Sequence, residues 1–146
     1  MNTHTIARRL NRCTLTKRFF LGVFACDQLP AIHSYPCSFV LNLDPATQDG
    51  SHWVGVFALS PHRLNYFDSY GMKPNECVRR TLRQFSRITH NTRTFQSLSS
   101  STCGYFAMAF IALSSLGVSF EKIIQLFGDS KHVENYVKNL VNKLLK

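Results

Sequence analysis

Acidic residues are scarce in this chain: eight Asp and Glu stand against 17 Lys and Arg among 146 residues, a formal charge of +9. That imbalance points toward a polyanionic partner or surroundings. Long apolar runs are missing too. The longest uncharged stretch, Thr94 to Phe120, is densely apolar only from Cys103 to Leu113, with Ser114, Ser115 and Gly117 breaking up the rest. A bilayer span needs about 20 apolar residues, so this segment reads as a buried central helix and no membrane contact is expected. Ahead of Phe19 there is no apolar run, and Arg8, Arg9, Arg12, Lys17 and Arg18 crowd the opening, so no secretory signal is expected. No repeat, low-complexity segment or Pro/Gly/Ser-rich linker divides the chain, which is read as one domain over 1–146. The five cysteines show no C-x2-C pair and no framework-like spacing. An odd number without a framework suits a reducing compartment and free thiols. Cys13, Cys26 and Cys37 are therefore read as structural thiols and Cys77 as unpaired, with no metal site at Cys13, Cys26, His33 and Cys37.

What is present supports a packed core, with 45% of residues hydrophobic and 17% charged. Residues 2–12 read as a helix with Ile6 and Leu10 inward and Arg8, Arg9 and Arg12 outward. Segments 19–26, 35–43, 53–59 and 64–70 read as strands, with turn chemistry from Asp44-Pro45 through Asp49-Gly50 and at Ser60-Pro61-His62. Asn75 to Arg87 reads as an amphipathic helix, burying Val78, Leu82 and Phe85 and presenting Arg79, Arg80, Arg83 and Arg87. A short extended piece over 93–98 precedes the apolar helix, and two more helices follow from Ser119 and from about Ser130. Strands followed mostly by helices argue for α+β, with a central antiparallel-rich sheet and the apolar helix packed on it.

Cys103 opens that apolar helix in the string SSSTCGYFAMAF. A helix N-terminus offers unpaired N–H groups and a positive dipole end, both favouring thiolate over thiol. His52 stands at the mouth of a strand. A hairpin pivoting at Ser60 pairs positions that sum to 120, which sets His52 opposite Asp68. A carboxylate beside an imidazole fixes its tautomer and stabilises the imidazolium, and the imidazole can then take the thiol proton. Gln96, before the Ser-rich loop, can donate to an oxyanion together with the Cys103 N–H. Trp53, next to His52, is read either as a shield for the ion pair or as an ordinary core residue.

The strings GSHWVGVF and YFDSYG, then Gln96 and STCGYF, follow the order His, Asp, Gln, Cys. In this the chain resembles the adenovirus protease (adenain) family, and more closely the adenain-like proteases of Maverick/Polinton elements and related DNA viruses. The SUMO-deconjugating proteases are similar at greater distance. The opening FFLGVFACDQLP extends the likeness over most of the chain, most densely at 38–72 and 94–111. The resemblance implies an adenain-like cysteine protease fold and a cysteine endopeptidase with Cys103 as nucleophile, His52 as base, Asp68 as its orienter and Gln96 in the oxyanion hole. It implies viral structural or core precursors as substrates, activity as a monomer in the host nucleus and virion, and DNA or a viral peptide as cofactor. Phe85 stands near the position of the cysteine through which the adenovirus enzyme bonds its peptide, so any peptide here is expected to act without a disulfide. The arginines at 79, 80, 83 and 87 are the candidates for non-specific DNA contact. Two other readings use the same residues: an isopeptidase for a ubiquitin-like modifier, and an inactive basic DNA-binding virion protein.

Overall fold

The computed structural model describes residues 1–47 and 52–146; the expected turn at Asp49-Gly50 lies outside the described residues. The chain opens with helix α1 (Thr3–Arg12), where Asn2 caps the first turn by accepting from the Thr5 N–H at 2.9 Å. Ile6 and Leu10 are fully buried, as the spacing predicts. A short α2 (Thr14–Lys17) leads into strands β1 (Phe20–Ala25), β2 (Cys37–Asn42), β3 (Trp53–Ser60) and β4 (Arg63–Phe67). Helix α3 (Glu76–Thr81) and strand β5 (Arg87–His90) follow, then α4 (Cys103–Ser115), α5 (Phe120–Asp129) and α6 (Val133–Leu144).

The five strands form one sheet in chain order. Its inner pairings, β2 with β3 and β3 with β4, are antiparallel, whereas the edge pairings, β1 with β2 and β4 with β5, are parallel. Parallel neighbours need a crossover rather than a hairpin. The connections 26–36 and 68–86 supply them, the second carrying α3.

The 75–87 helix of the sequence reading is shorter than expected. It ends at Thr81, the chain turns through Leu82 and Phe85, and Arg87 to His90 pair with Arg63 to Tyr66 as β5. The inward Val78, Leu82 and Phe85 were read correctly, but Arg87 lies on a strand and shares no helix face with Arg79 and Arg80. Alternating half-burial along Arg-Ile-Thr-His, with β-branched Ile88 and Thr89, is the signature of an edge strand. Residues 93–98, expected to be extended, form no strand.

Cysteine pairing also departs from expectation. Cys26, just past β1, and Cys77, in α3, form a disulfide with Cα atoms 5.9 Å apart. They are 51 residues apart in sequence, and only the packing of α3 over the β1 end of the sheet brings them together. Cys37 is buried, and that burial pushes its thiol up to about 11, while Cys13 donates to the Leu144 carbonyl at 3.3 Å.

Helices α1, α4, α5 and α6 cover one face of the sheet, and α3 with the 26–36 loop covers the other. Phe67 anchors the first layer, its ring lying 5.4–6.2 Å from those of Phe95, Phe106, Phe110 and Phe127. Helix α4 is apolar on all sides because it lies between the sheet and the outer helices. Gly55 in β3 lets it come close: a Cβ there would stand 2.9 Å from Phe110 Cδ2 and 3.2 Å from the Ala107 carbonyl oxygen. Gly55→Ala is therefore expected to destabilise the fold by about 1–3 kcal/mol through overpacking. An unchanged urea midpoint would show that α4 can retreat from the sheet at no cost.

Candidate active site

The sheet ends where β4 finishes and β3 begins, and the N-terminus of α4 meets it there. Asp68 is the first residue after β4. Its backbone is braced by Asn91, just past β5: the Asp68 N–H donates to Asn91 Oδ1 at 3.0 Å, and Asn91 Nδ2 donates to the Asp68 carbonyl at 2.6 Å. The chain then turns back, with the Gly71 N–H donating to the Asp68 carbonyl at 2.8 Å. Gly71 has φ +72°, and a Cβ would stand 2.7 Å from the Thr92 and Arg93 carbonyl oxygens, so only glycine suits this turn. Asp68 is 1% exposed, and its Oδ1 accepts from the Tyr70 N–H at 2.8 Å.

The same Oδ1 lies 2.7 Å from His52 Nε2. The sequence reading set these residues directly opposite; the observed register is displaced by two positions. Gly55 pairs with Phe67, so facing residues sum to 122, because Pro61-His62 forms the turn and Leu59 is an extra residue in β3. A displacement of two preserves the alternation of faces, so His52 and Asp68 still meet diagonally. It also carries Tyr70 toward the place opposite His52. The Tyr70 ring stacks on the imidazole with centroids 4.7 Å apart and planes 25° from parallel. Tyr70 is thus the ring that shields His52, while Trp53 packs against the core on the α4 side.

With Nε2 engaged by Asp68, the buried Nδ1 makes no hydrogen bond to a described residue and is the imidazole nitrogen left for the Cys103 thiol. Burial disfavours the imidazolium, but the hydrogen bond to Asp68, the neighbouring Cys103 and the negative charges of both outweigh it, raising the His52 pKa to about 9. For Cys103 burial disfavours the thiolate. The neighbouring His52, with its charge, and the nearby backbone groups of Trp53 and Gly104 prevail, and the thiol titrates below its ordinary range. Cys103 and His52 are only 5% and 7% exposed, so each depends on the other for its charged form.

Gln96 is 3% exposed and reaches the site through two partners. Its Oε1 accepts from the Ser69 hydroxyl at 2.5 Å, and its Nε2 donates to the Ser100 carbonyl at 3.0 Å. These contacts fix the orientation of the amide and leave one Nε2 proton uncommitted. The basic residues do not join this group. Arg79 and Arg80 lie on α3, beneath the other face of the sheet, and both pair with Glu76, at 2.5 and 3.2 Å. Arg83 is exposed in the turn after α3, and Arg87 pairs with Arg63 at the far end of β4 from Asp68. Tyr70, Asn91 and Ser69 escaped the sequence reading. Tyr70 follows from the correct register; Asn91 depends on β5, a strand the sequence reading did not assign, placing its first residue, Arg87, at the end of a helix.

No family model matches the chain. In sequence it is 27% identical over 97 residues to "Putative thiol protease R355" of Acanthamoeba polyphaga mimivirus, covering 58% of this chain. The chain spans about a third of that relative's length, at 32%. In structure, 99% of it superposes on 67% of the ASFV pS273R protease, with TM-score 0.67 and 17% identity. The central domain of the uncharacterized Lpg1148 protein from Legionella pneumophila matches with TM-score 0.50 and 14% identity, over 99% of this chain and 98% of that domain. The chain has the fold of a viral cysteine protease. The resemblance read from its motifs is borne out by a thiol-protease relative in sequence and by this fold in three dimensions.

The geometry predicts how the sulfur reacts. An ordinary thiol with a pKa near 9 is about 1% thiolate at pH 7. Cys103 should be alkylated by iodoacetamide at pH 7 faster than Cys13, with the rate falling as pH drops through its lowered pKa. His52→Ala should slow it roughly tenfold or more; an equal rate in that variant would show that the imidazole does not sustain the thiolate.

Proposed function

We propose that this chain is a cysteine endopeptidase acting through Cys103, His52 and Asp68, with Gln96 in the oxyanion hole. The observation that carries the reading is a cysteine at the start of a buried helix whose thiol is coupled to an imidazole held by a buried carboxylate at 2.7 Å. The Cys103 thiolate attacks the scissile carbonyl carbon, and its π electrons move onto the oxygen. The Cys103 N–H and the free Nε2 proton of Gln96 stabilise that oxyanion. His52 gives its proton to the departing amine as the C–N bond breaks, leaving a thioester. A water that has lost its proton to His52 then attacks the thioester, and the sulfur leaves as thiolate. Asp68 holds the ring in place through its bond to Nε2.

Viral structural or core precursors are the substrate class in keeping with the mimivirus relative and the ASFV fold neighbour. A host nucleus and virion setting and DNA as an activating polyanion remain part of this proposal. Glu76 already occupies two of the guanidinium groups, so a phosphate backbone must compete with it for Arg79 and Arg80.

Cys103→Ala should abolish hydrolysis of a peptide amide with Gly-Gly before the scissile bond while the circular dichroism stays unchanged. Gln96→Ala should lower kcat roughly 10²-fold, as loss of an oxyanion donor does. Residual turnover in purified Cys103→Ala protein would remove the nucleophile assignment, and an unchanged kcat in Gln96→Ala would place the oxyanion donor elsewhere. Turnover of a ubiquitin-like conjugate, with the peptide left intact, would favour the isopeptidase reading.

A further inference from the structure

The loop between Gln96 and Cys103 is tied to α6 by one side chain. Thr102 is the N-cap residue of α4, a position where a threonine hydroxyl ordinarily accepts from the second or third N–H of its helix. Here the side chain makes no capping bond, and its hydroxyl donates instead to Glu134 Oε1 at 2.6 Å. The Ser100 hydroxyl lies 2.9 Å from that of Thr102, which carries the contact one residue further along the loop. The Ser100 carbonyl in turn accepts the Gln96 Nε2–H at 3.0 Å. Glu134, in the first turn of α6, therefore holds both flanks of the reactive sulfur.

Two chemical consequences follow. Drawn to Glu134, the Thr102 hydroxyl leaves the first turn of α4 without a side-chain cap, and its place beside the helix start is fixed. Fixing Ser100 fixes the carbonyl that aims the Gln96 amide. Burial alone would raise the Glu134 carboxyl, but the nearby donors of Ser100, Thr102 and Ser97 and the charge of Lys138 hold it below its usual range. It is thus a firm acceptor for the loop at neutral pH.

We propose that Glu134 is a positioning residue of the oxyanion hole, its carboxylate clamping residues 97–102 so that the Gln96 amide and the α4 N-terminus converge on one point. This rests on the peptidase reading above and specifies how the scaffold supports it.

The test uses the full chain, a fluorogenic peptide amide with Gly-Gly before the scissile bond, and iodoacetamide. Alkylation by a haloacetamide displaces iodide and forms no oxyanion, so it reports the thiolate without the hole. In Glu134→Ala, kcat should fall about 10- to 100-fold, while KM and the Cys103 alkylation rate stay within about twofold. Glu134→Gln, which keeps an acceptor for Thr102, should recover most of the lost kcat and stands in if the alanine variant does not fold. In a Gln96→Ala background, Glu134→Ala should cost far less than it does alone, because the two act on one unit. An unchanged kcat in Glu134→Ala overturns the proposal. So does an equal loss of kcat and alkylation, which would make Glu134 a general support of Cys103. Failure of the unsubstituted chain to cut any peptide while Cys103 still alkylates would overturn the peptidase reading itself, and this role with it.

Discussion

A buried imidazole shared between a carboxylate and a sulfur is the constraint on which the remaining features depend. Neither an imidazolium nor a thiolate is stable alone at such low exposure, since removing either charge from water costs several kcal/mol. Each is sustained by the other and by Asp68, whose own desolvation is met by His52 and the Tyr70 N–H. The arrangement works only while these groups stay close neighbours. The scaffold therefore holds Asp68 from three directions: the end of β4, the Asn91 side chain and the turn at Gly71.

The other half of the site depends on how α4 meets the sheet. Gly55 allows close contact beneath the helix, and Phe67 ties β4 to α4, α5 and the segment leading to Gln96. The strand carrying Phe67 ends at Asp68, and the helix beneath Phe110 begins at Cys103, so a single packed layer sets the distance between carboxylate and sulfur. In interiors packed as densely as crystals, such a layer transmits small shifts rather than absorbing them. The ASFV protease shares this fold, although the two sequences are only 17% identical. The polar loop opposite is held differently, by hydrogen bonds converging on Glu134 instead of by apolar contact.

Much of this was legible in the sequence, for a definite reason. His52, Asp68 and Cys103 sit at element boundaries, and periodicity and turn chemistry mark boundaries locally; Gln96, in the loop between β5 and α4, was marked by its side chain and the Ser-rich stretch after it. A helix apolar on every face announces its own burial, and even a register read two positions out preserved the pairing because β-structure repeats every two residues. Tertiary structure alone decided what local patterns do not encode. The Cys26–Cys77 disulfide, the Asn91 brace and the Glu134 clamp each join segments whose spacing carries no signal, and Arg87 left its expected helix because an exposed strand edge offered it backbone partners. Side-chain chemistry and hydrophobic period are properties of neighbours in sequence; the supports of a reactive site are contacts between strangers in sequence, and those exist only once the chain has packed.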